Sequence, residues 1–148
     1  CQGITIYRGA RRVDGGNGKT IMEGDIKIET SCGQGGLSVL LYASFRGQRA
    51  GYAHLAIDSC HARLIDVKVY HRKGRFSWWP PFYHRGVDYR GRGIGTQMLE
   101  AVISICEKKG LTNLVGEMHG DTERLTTWYQ RHGFQVGPGI AIQRSIQG

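Results

Sequence analysis

A chain of 148 residues, 40% of them apolar, has material for one core and reads as a single domain over residues 1–148. No stretch approaches the ~20 apolar residues of a membrane span. The opening "CQGITIYRGARRV" has no charged start followed by an apolar run, so neither membrane attachment nor a secretory leader is expected, and the expected compartment is cytoplasmic.

The formal charge of +8 is uneven. Residues 63–92 carry Arg63, Lys68, Arg72, Lys73, Arg75, Arg85, Arg90 and Arg92 against Asp66 and Asp88. Such a field attracts phosphates on a cofactor or on nucleic acid, and it disfavours cationic ligands such as polyamines. The cysteines at 1, 32, 60 and 106 form no C-x-x-C pair and stand beside no histidine pair at zinc spacing. They read as free thiols, and no metal is expected.

In chain order, glycines at 15, 16 and 18 mark a loop. "GDIKIETS" (24–31) alternates Ile26, Ile28 and Thr30 with Asp25, Lys27 and Glu29. "CGQGG" (32–36) marks a second loop. "LSVLLYASF" (37–45), "RAGYAHLAID" (49–58) and "ARLIDVKVY" (62–70) follow as strands. The last is expected to put Ile65, Val67 and Val69 on one face and Leu64, Asp66, Lys68 and Tyr70 on the other. Period-two patterning with short turns predicts antiparallel neighbours.

"HRKGRFSWWPPFYHRG" (71–86) is basic and aromatic, with no acidic residue. Pro80 and Pro81 exclude a regular helix and a central strand. A long functional loop is expected. Its residues Trp78, Trp79, Phe82 and Tyr83 either wall a substrate pocket or cover a sheet edge or form a dimer contact.

The period then changes. "GIGTQMLEAVISICEKKG" (93–110) predicts a helix burying Ile94, Met98, Val102, Ile105 and Cys106, with Leu99 and Ile103 beside them. Lys108, Lys109 and Gly110 end it. "LTNLVGEM" (111–118) reads as a buried strand. Asp121 or Thr122 caps a second helix, "ERLTTWYQRH", which Gly133 stops. "FQVGPG" and "IAIQRSI" close the chain as strands. The expected fold is mixed α/β: a central sheet of about six to seven strands, antiparallel in its N-terminal half, with two main helices and a parallel pair in the C-terminal half.

"VDYRGRGIGTQML" (87–99) sets three glycines at alternate positions ahead of a helix. A helix N-terminus offers unpaired N–H groups and about half a positive charge. Glycines leave that backbone accessible and allow positive φ, and Arg90 and Arg92 add charge, so the stretch suits a pyrophosphate. It is not the G-x-G-x-x-G of a dinucleotide site. "GNGKT" (16–20) has Val13 where a P-loop needs its first glycine.

"WYQRHGF" (128–134) lies on the helix after the next strand. The two motifs together resemble those of the GNAT superfamily of N-acetyltransferases. Arg90, Gly93 and Gly95 match its [QR]-x-x-G-x-[GA] signature, and Trp128, Tyr129, Gly133 and Phe134 match its later aromatic–Tyr–x–x–x–Gly–Phe run. The resemblance is specific over residues 87–136. It implies an acetyl-CoA-dependent N-acetyltransferase with no acyl-enzyme. The loop at Arg90, Gly91, Arg92, Gly93, Ile94, Gly95 and Thr96 would bind the cofactor, and Tyr129 would protonate the departing thiolate. For the base, Glu117 ranks ahead of His119 and Asp66.

Three departures accompany the likeness. Residues 9–36 lack the helical period of the family's first two helices, so the acceptor site is expected to be built differently. The V-x-P before the loop is missing, Val87 standing three residues before Arg90. Thr122 stands where asparagine is common. The implied partners are acetyl-CoA and an amine acceptor: a small molecule, a protein or an aminoacyl-tRNA. Nucleic acid is a candidate through the basic surface, and a monomer or homodimer is expected. The alternative is a non-catalytic module on the same fold that binds RNA or senses acyl-CoA.

Overall fold

The computed structural model describes residues 12–13, 21–22, 25–72, 75–78, 81–84 and 86–146, with side chains for 25–33, 35–71 and 86–146. The glycine loop expected at 15–18 lies outside the described residues. A short antiparallel pair, β1 (Arg12–Val13) and β2 (Ile21–Met22), precedes the main sheet. Then β3 (Ile26–Cys32), β4 (Ser38–Phe45), β5 (Gln48–Asp58) and β6 (His61–Val69) form an antiparallel meander, as the period-two pattern predicts. A 3-10 turn at Gln34–Gly36 occupies the "CGQGG" stretch.

Four short strands follow: β7 (His71–Arg72), β8 (Arg75–Trp78), β9 (Pro81–His84) and β10 (Val87–Asp88). Helix α1 (Ile94–Lys108) leads to β11 (Asn113–Glu117), α2 (Thr122–Arg131), β12 (Gln135–Val136) and β13 (Ala141–Ser145). The seven-stranded sheet runs β12-β13-β11-β6-β5-β4-β3. β11 lies parallel to β6, with α1 as the crossover, and antiparallel to β13.

The core lies between the sheet and α1. All seven helix residues expected inside are buried, from Met98, Leu99, Val102 and Cys106 at 0% exposure to Ile103 at 8%. They meet Leu41, Ala53, Leu55 and Leu64 from the strands. Met98 comes so near β5 that a Cβ on Gly51 would lie 3.2 Å from its Cε and 2.5 Å from the Lys68 carbonyl oxygen.

Two expectations need correction. On β6, Leu64 is buried while Ile65 is 42% exposed. Val67 and Val69 nevertheless pack on the core. The register between β5 and β6 shifts here, with His54 opposite Asp66 and Leu55 opposite Leu64. That bulge leaves Ile65 unmatched and reverses the phase of the strand. A strict alternation therefore assigned the two faces wrongly. The basic aromatic stretch, expected as a loop, carries strands: β8 pairs with β9 and β7 with β10. Pro81 fits because it begins an edge strand in a two-stranded ribbon.

Candidate functional site

β6 and β11 pair only from His61/Asn113 to Leu64/Gly116. Beyond that point β6 runs on from Ile65 to Val69 with no described strand on that side. The separation opens a cleft of about 1020 Å³. One wall is β6 from Leu64 to Val69, the second is the loop and helix start at Tyr89–Thr96, and the third is α2 with Glu117–Asp121 before it.

The glycines divide into two kinds. Gly91 (φ +70) and Gly93 (φ +76) are left-handed, and a Cβ on either would meet nothing within 4 Å. Their requirement is the backbone angle. Gly95 lies inside the first turn of α1, where its Cβ would sit 3.5 Å from Trp128 Cζ2 and 3.6 Å from Val69 Cγ2. Its requirement is close packing. Gly93 is the N-cap of α1 and supplies no side-chain cap, and the first helical bond runs from Gln97 N–H to the Gly93 carbonyl. The N–H groups of Ile94, Gly95 and Thr96 precede the first helical bond, and these residues line the cleft. Helix α2 differs, because Asp121 caps it by accepting from the Arg124 N–H at 3.2 Å. Of the two residues expected at that cap, Asp121 fills it.

The loop is held from outside. The Tyr89 N–H donates to the Tyr70 carbonyl at 3.2 Å and the Tyr89 hydroxyl to Gln48 Oε1 at 3.1 Å. Its ring stands edge-on to Phe45, centroids 6.2 Å apart. Asp88 Oδ1 accepts the Arg90 N–H at 2.9 Å. Arg90 lines the cleft. The Arg92 side chain instead donates to the Asp88 carbonyl at 3.3 Å and lies 5.1 Å over the Phe45 ring. Arg92 is not among the residues that line the cleft.

Tyr129 is 5% exposed. Its ring packs against Trp128 (4.7 Å) and Phe134 (5.3 Å). It lines the cleft, and its hydroxyl has no hydrogen bond to any described residue. Burial first, and the Asp66 carboxylate second, push its pKa up to about 12. Glu117 stands just past the last β6–β11 pair, its Oε2 3.9 Å from His119 Nε2, both side chains exposed. Asp66 enters the cleft from β6 and accepts the Tyr52 hydroxyl at 2.6 Å. This bond raises the Tyr52 pKa.

Glu117, His119, Asp66, Tyr129, Arg90, Gly91, Gly93, Ile94, Gly95 and Thr96 thus line one cleft. Trp79 lies outside the described residues, and so do the side chains of Trp78, Phe82 and Tyr83. Other cleft residues were missed in the sequence. Arg124, Thr127, Trp128 and Arg131 line it from α2. Their i, i+3, i+4, i+7 spacing marks one helix face and was available. The bond from Trp128 Nε1 to Thr96 Oγ1 (3.3 Å) and the Tyr52–Asp66 bond had no local signal, since they join different elements.

With this geometry in hand, the comparisons are specific. Residues 36–136, more than half of the chain, match the acetyltransferase (GNAT) domain. The chain belongs to the GNAT acetyltransferase family. Among solved structures, a ribosomal-protein alanine N-acetyltransferase of Escherichia coli superposes with a TM-score of 0.60 at 20% identity, covering 78% of this chain and 73% of that one. A GNAT family acetyltransferase of Elizabethkingia anophelis, with acetyl-CoA bound, gives 0.60 at 14% identity, covering 82% and 98%. The PaiA N-acetyltransferase of Thermoplasma acidophilum, in complex with coenzyme A, gives 0.55 at 20% identity over 73% of this chain. This chain spans only 60% of the PaiA protein. These likenesses speak for the fold. Among curated protein sequences none matches the chain significantly.

Proposed function

We propose that this chain transfers the acetyl group of acetyl-coenzyme A directly to a primary amine. The observation that carries the reading is the uncapped start of α1, with two left-handed glycines, opening into a cleft that also holds a buried tyrosine. The amides from Arg92 to Thr96 would hold the pyrophosphate, and the Arg90 side chain would add charge. The edge of β6 beyond Leu64 would offer backbone groups to the amides of the pantetheine arm.

In the transfer, a neutral amine attacks the thioester carbonyl, a C–N bond forms and the C–S bond breaks. The sulfur leaves as a thiolate, and the nitrogen must lose one proton. Glu117 would take that proton, directly or through water. Tyr129 would donate a hydrogen bond to the forming thiolate. A phenol at about 12 does not fully protonate a thiolate whose conjugate acid lies near ~8.5, a transfer uphill by roughly 5 kcal/mol. Its role is therefore stabilisation by a held proton, with the proton balance closed from the amine nitrogen.

The first test is thermal unfolding with and without acetyl-CoA, with ATP and NAD as controls. A ligand at a hundred times its Kd adds about 2.7 kcal/mol, several degrees for this size. A rise with acetyl-CoA alone, followed by thiol release on adding an amine acceptor, supports the proposal. No rise removes it.

A further inference from the structure

One side-chain hydrogen bond ties α2 to the start of α1. Trp128 lies on α2, and its Nε1 is 3.3 Å from Oγ1 of Thr96 in the first turn of α1. A Cβ on Gly95 would sit 3.5 Å from Trp128 Cζ2. The Trp128 ring also stands edge-on to Tyr129, with centroids 4.7 Å apart. His132 steadies it further. The imidazole lies 5.1 Å from the indole, and its Nδ1–H donates to the Trp128 carbonyl at 2.8 Å.

Chemistry fixes the roles in the Trp128–Thr96 bond. An indole nitrogen only donates, so the Thr96 oxygen accepts, and the hydroxyl keeps its own proton to give. A helical threonine usually gives that proton to the carbonyl four residues back. Thr127 does so, donating to the Glu123 carbonyl at 3.3 Å. Thr96 does not: among the described residues its hydroxyl bonds to Trp128 alone. Thr96 lines the cleft, and its amide precedes the first helical bond, from Gln97 to Gly93. Amide and hydroxyl are thus two donors on one residue at the same cleft.

We propose that Trp128 is a positioning residue for the pyrophosphate of the cofactor. Its indole N–H holds the Thr96 oxygen from one side, so the hydroxyl proton turns to a phosphate oxygen on the other. The inference rests on the proposed function, in which the amides from Arg92 to Thr96 hold that pyrophosphate. A hydroxyl that already accepts one bond is polarised into a better donor. Its bond to an anionic oxygen is charge-assisted, and such bonds are roughly twice as strong as neutral ones. Trp128 acts through Thr96 and needs no contact with the phosphate. Packing on Gly95 and Tyr129 asks only for a ring, whereas Thr96 asks for the N–H. Phenylalanine at 128 separates the two, because it keeps a ring and loses the donor.

The test is isothermal titration of the full chain with acetyl-CoA. Trp128→Phe should weaken binding at least about tenfold, and Thr96→Val by a similar factor. The double variant should bind no more weakly than Thr96→Val alone, since both changes remove one device. Thr96→Ser keeps the hydroxyl and should stay within about twofold of the wild type. Thr96→Val reaches the bond from its other end with the indole packing in place, so a folding defect at 128 does not decide the result. Wild-type affinity in Trp128→Phe overturns the inference and leaves the proposed function standing. So do losses that multiply in the double variant, because Trp128 then acts by another route. Binding by Thr96→Ser as weak as by Thr96→Val overturns it too, because the hydroxyl is then not the group that matters. A wild type that does not bind acetyl-CoA removes the proposed function and this inference together.

Discussion

Tyr129 combines a buried ring with a hydroxyl that no described residue engages. Replacing it by Phe removes the held proton and little packing. Turnover should fall about a hundredfold, at the lower end of what one positioned proton donor supplies. The stabilisation by acetyl-CoA should persist, and steady-state kinetics beside thermal shift separate the two. The same residue makes an alkaline prediction. Its folded pKa of about 12 exceeds the ~10 of an unfolded tyrosine. Below ~10 both states hold the proton; above it only the unfolded state releases it, so stability falls as pH rises toward 12. The loss from this one group should approach roughly 3 kcal/mol and be missing from Tyr129→Phe, read by denaturant unfolding at mildly and strongly alkaline pH. At Gly93 (φ +76), alanine has room for its Cβ and still costs about 1–2 kcal/mol, because the left-handed angle is strained for any L side chain. Glutamate there should also abolish the acetyl-CoA shift, by obstructing the cradle and adding a like charge.

The two helices begin in opposite ways, and this asymmetry locates the site. Asp121 satisfies α2 from its own side chain, whereas α1 has no side-chain cap at Gly93, which in the proposed reading leaves its first amides to the cofactor. Asp121→Ala should cost about 1 kcal/mol of stability, measured by denaturant unfolding, with little change in acetyl-CoA affinity. The cleft depends equally on where two strands part. Gly116 is the last β11 residue paired with β6, and a Cβ there would sit 3.1 Å from the Leu64 oxygen and 3.2 Å from the Leu64 Cβ. Gly116→Val should cost about 1–3 kcal/mol by overpacking. It should also weaken acetyl-CoA binding, since the strands would begin to separate one residue early; isothermal titration reads this directly.

At the scale of the molecule, the stretch from β7 to β10 and the candidate cleft are separable. Among the described residues, neither the β7–β10 ladder nor the β8–β9 ladder is part of the seven-stranded sheet. Replacing residues 73–86 by two glycines, with the His71–Asp88 and Arg72–Val87 pairs kept, should leave the melting temperature within a few degrees. The shift on adding acetyl-CoA should remain. A collapse of the melting temperature would show that the replaced stretch completes the core.

Local pattern carried much of this architecture. The 3.6-residue apolar period marked α1 to within a residue of Ile94–Lys108, and the period-two strands marked the meander, because both are written into neighbouring side chains. The glycines and the Trp128–Phe134 run were legible for the same reason: a helix start and a helix end are local features. What sequence periodicity does not encode is where that period slips. The bulge at Ile65 exposed a residue assigned to the same face as Val67 and Val69, since a one-residue insertion in a ladder is a property of the pair. The β8–β9 ladder was hidden by the proline signal, which excludes a central strand but not a strand of a two-stranded ribbon. The meeting of Asp66, Glu117 and Tyr129 around one cleft was likewise settled only in three dimensions. Three separate elements supply them, and which elements meet follows from the parallel crossover of β6 and β11 and the point at which those strands stop pairing.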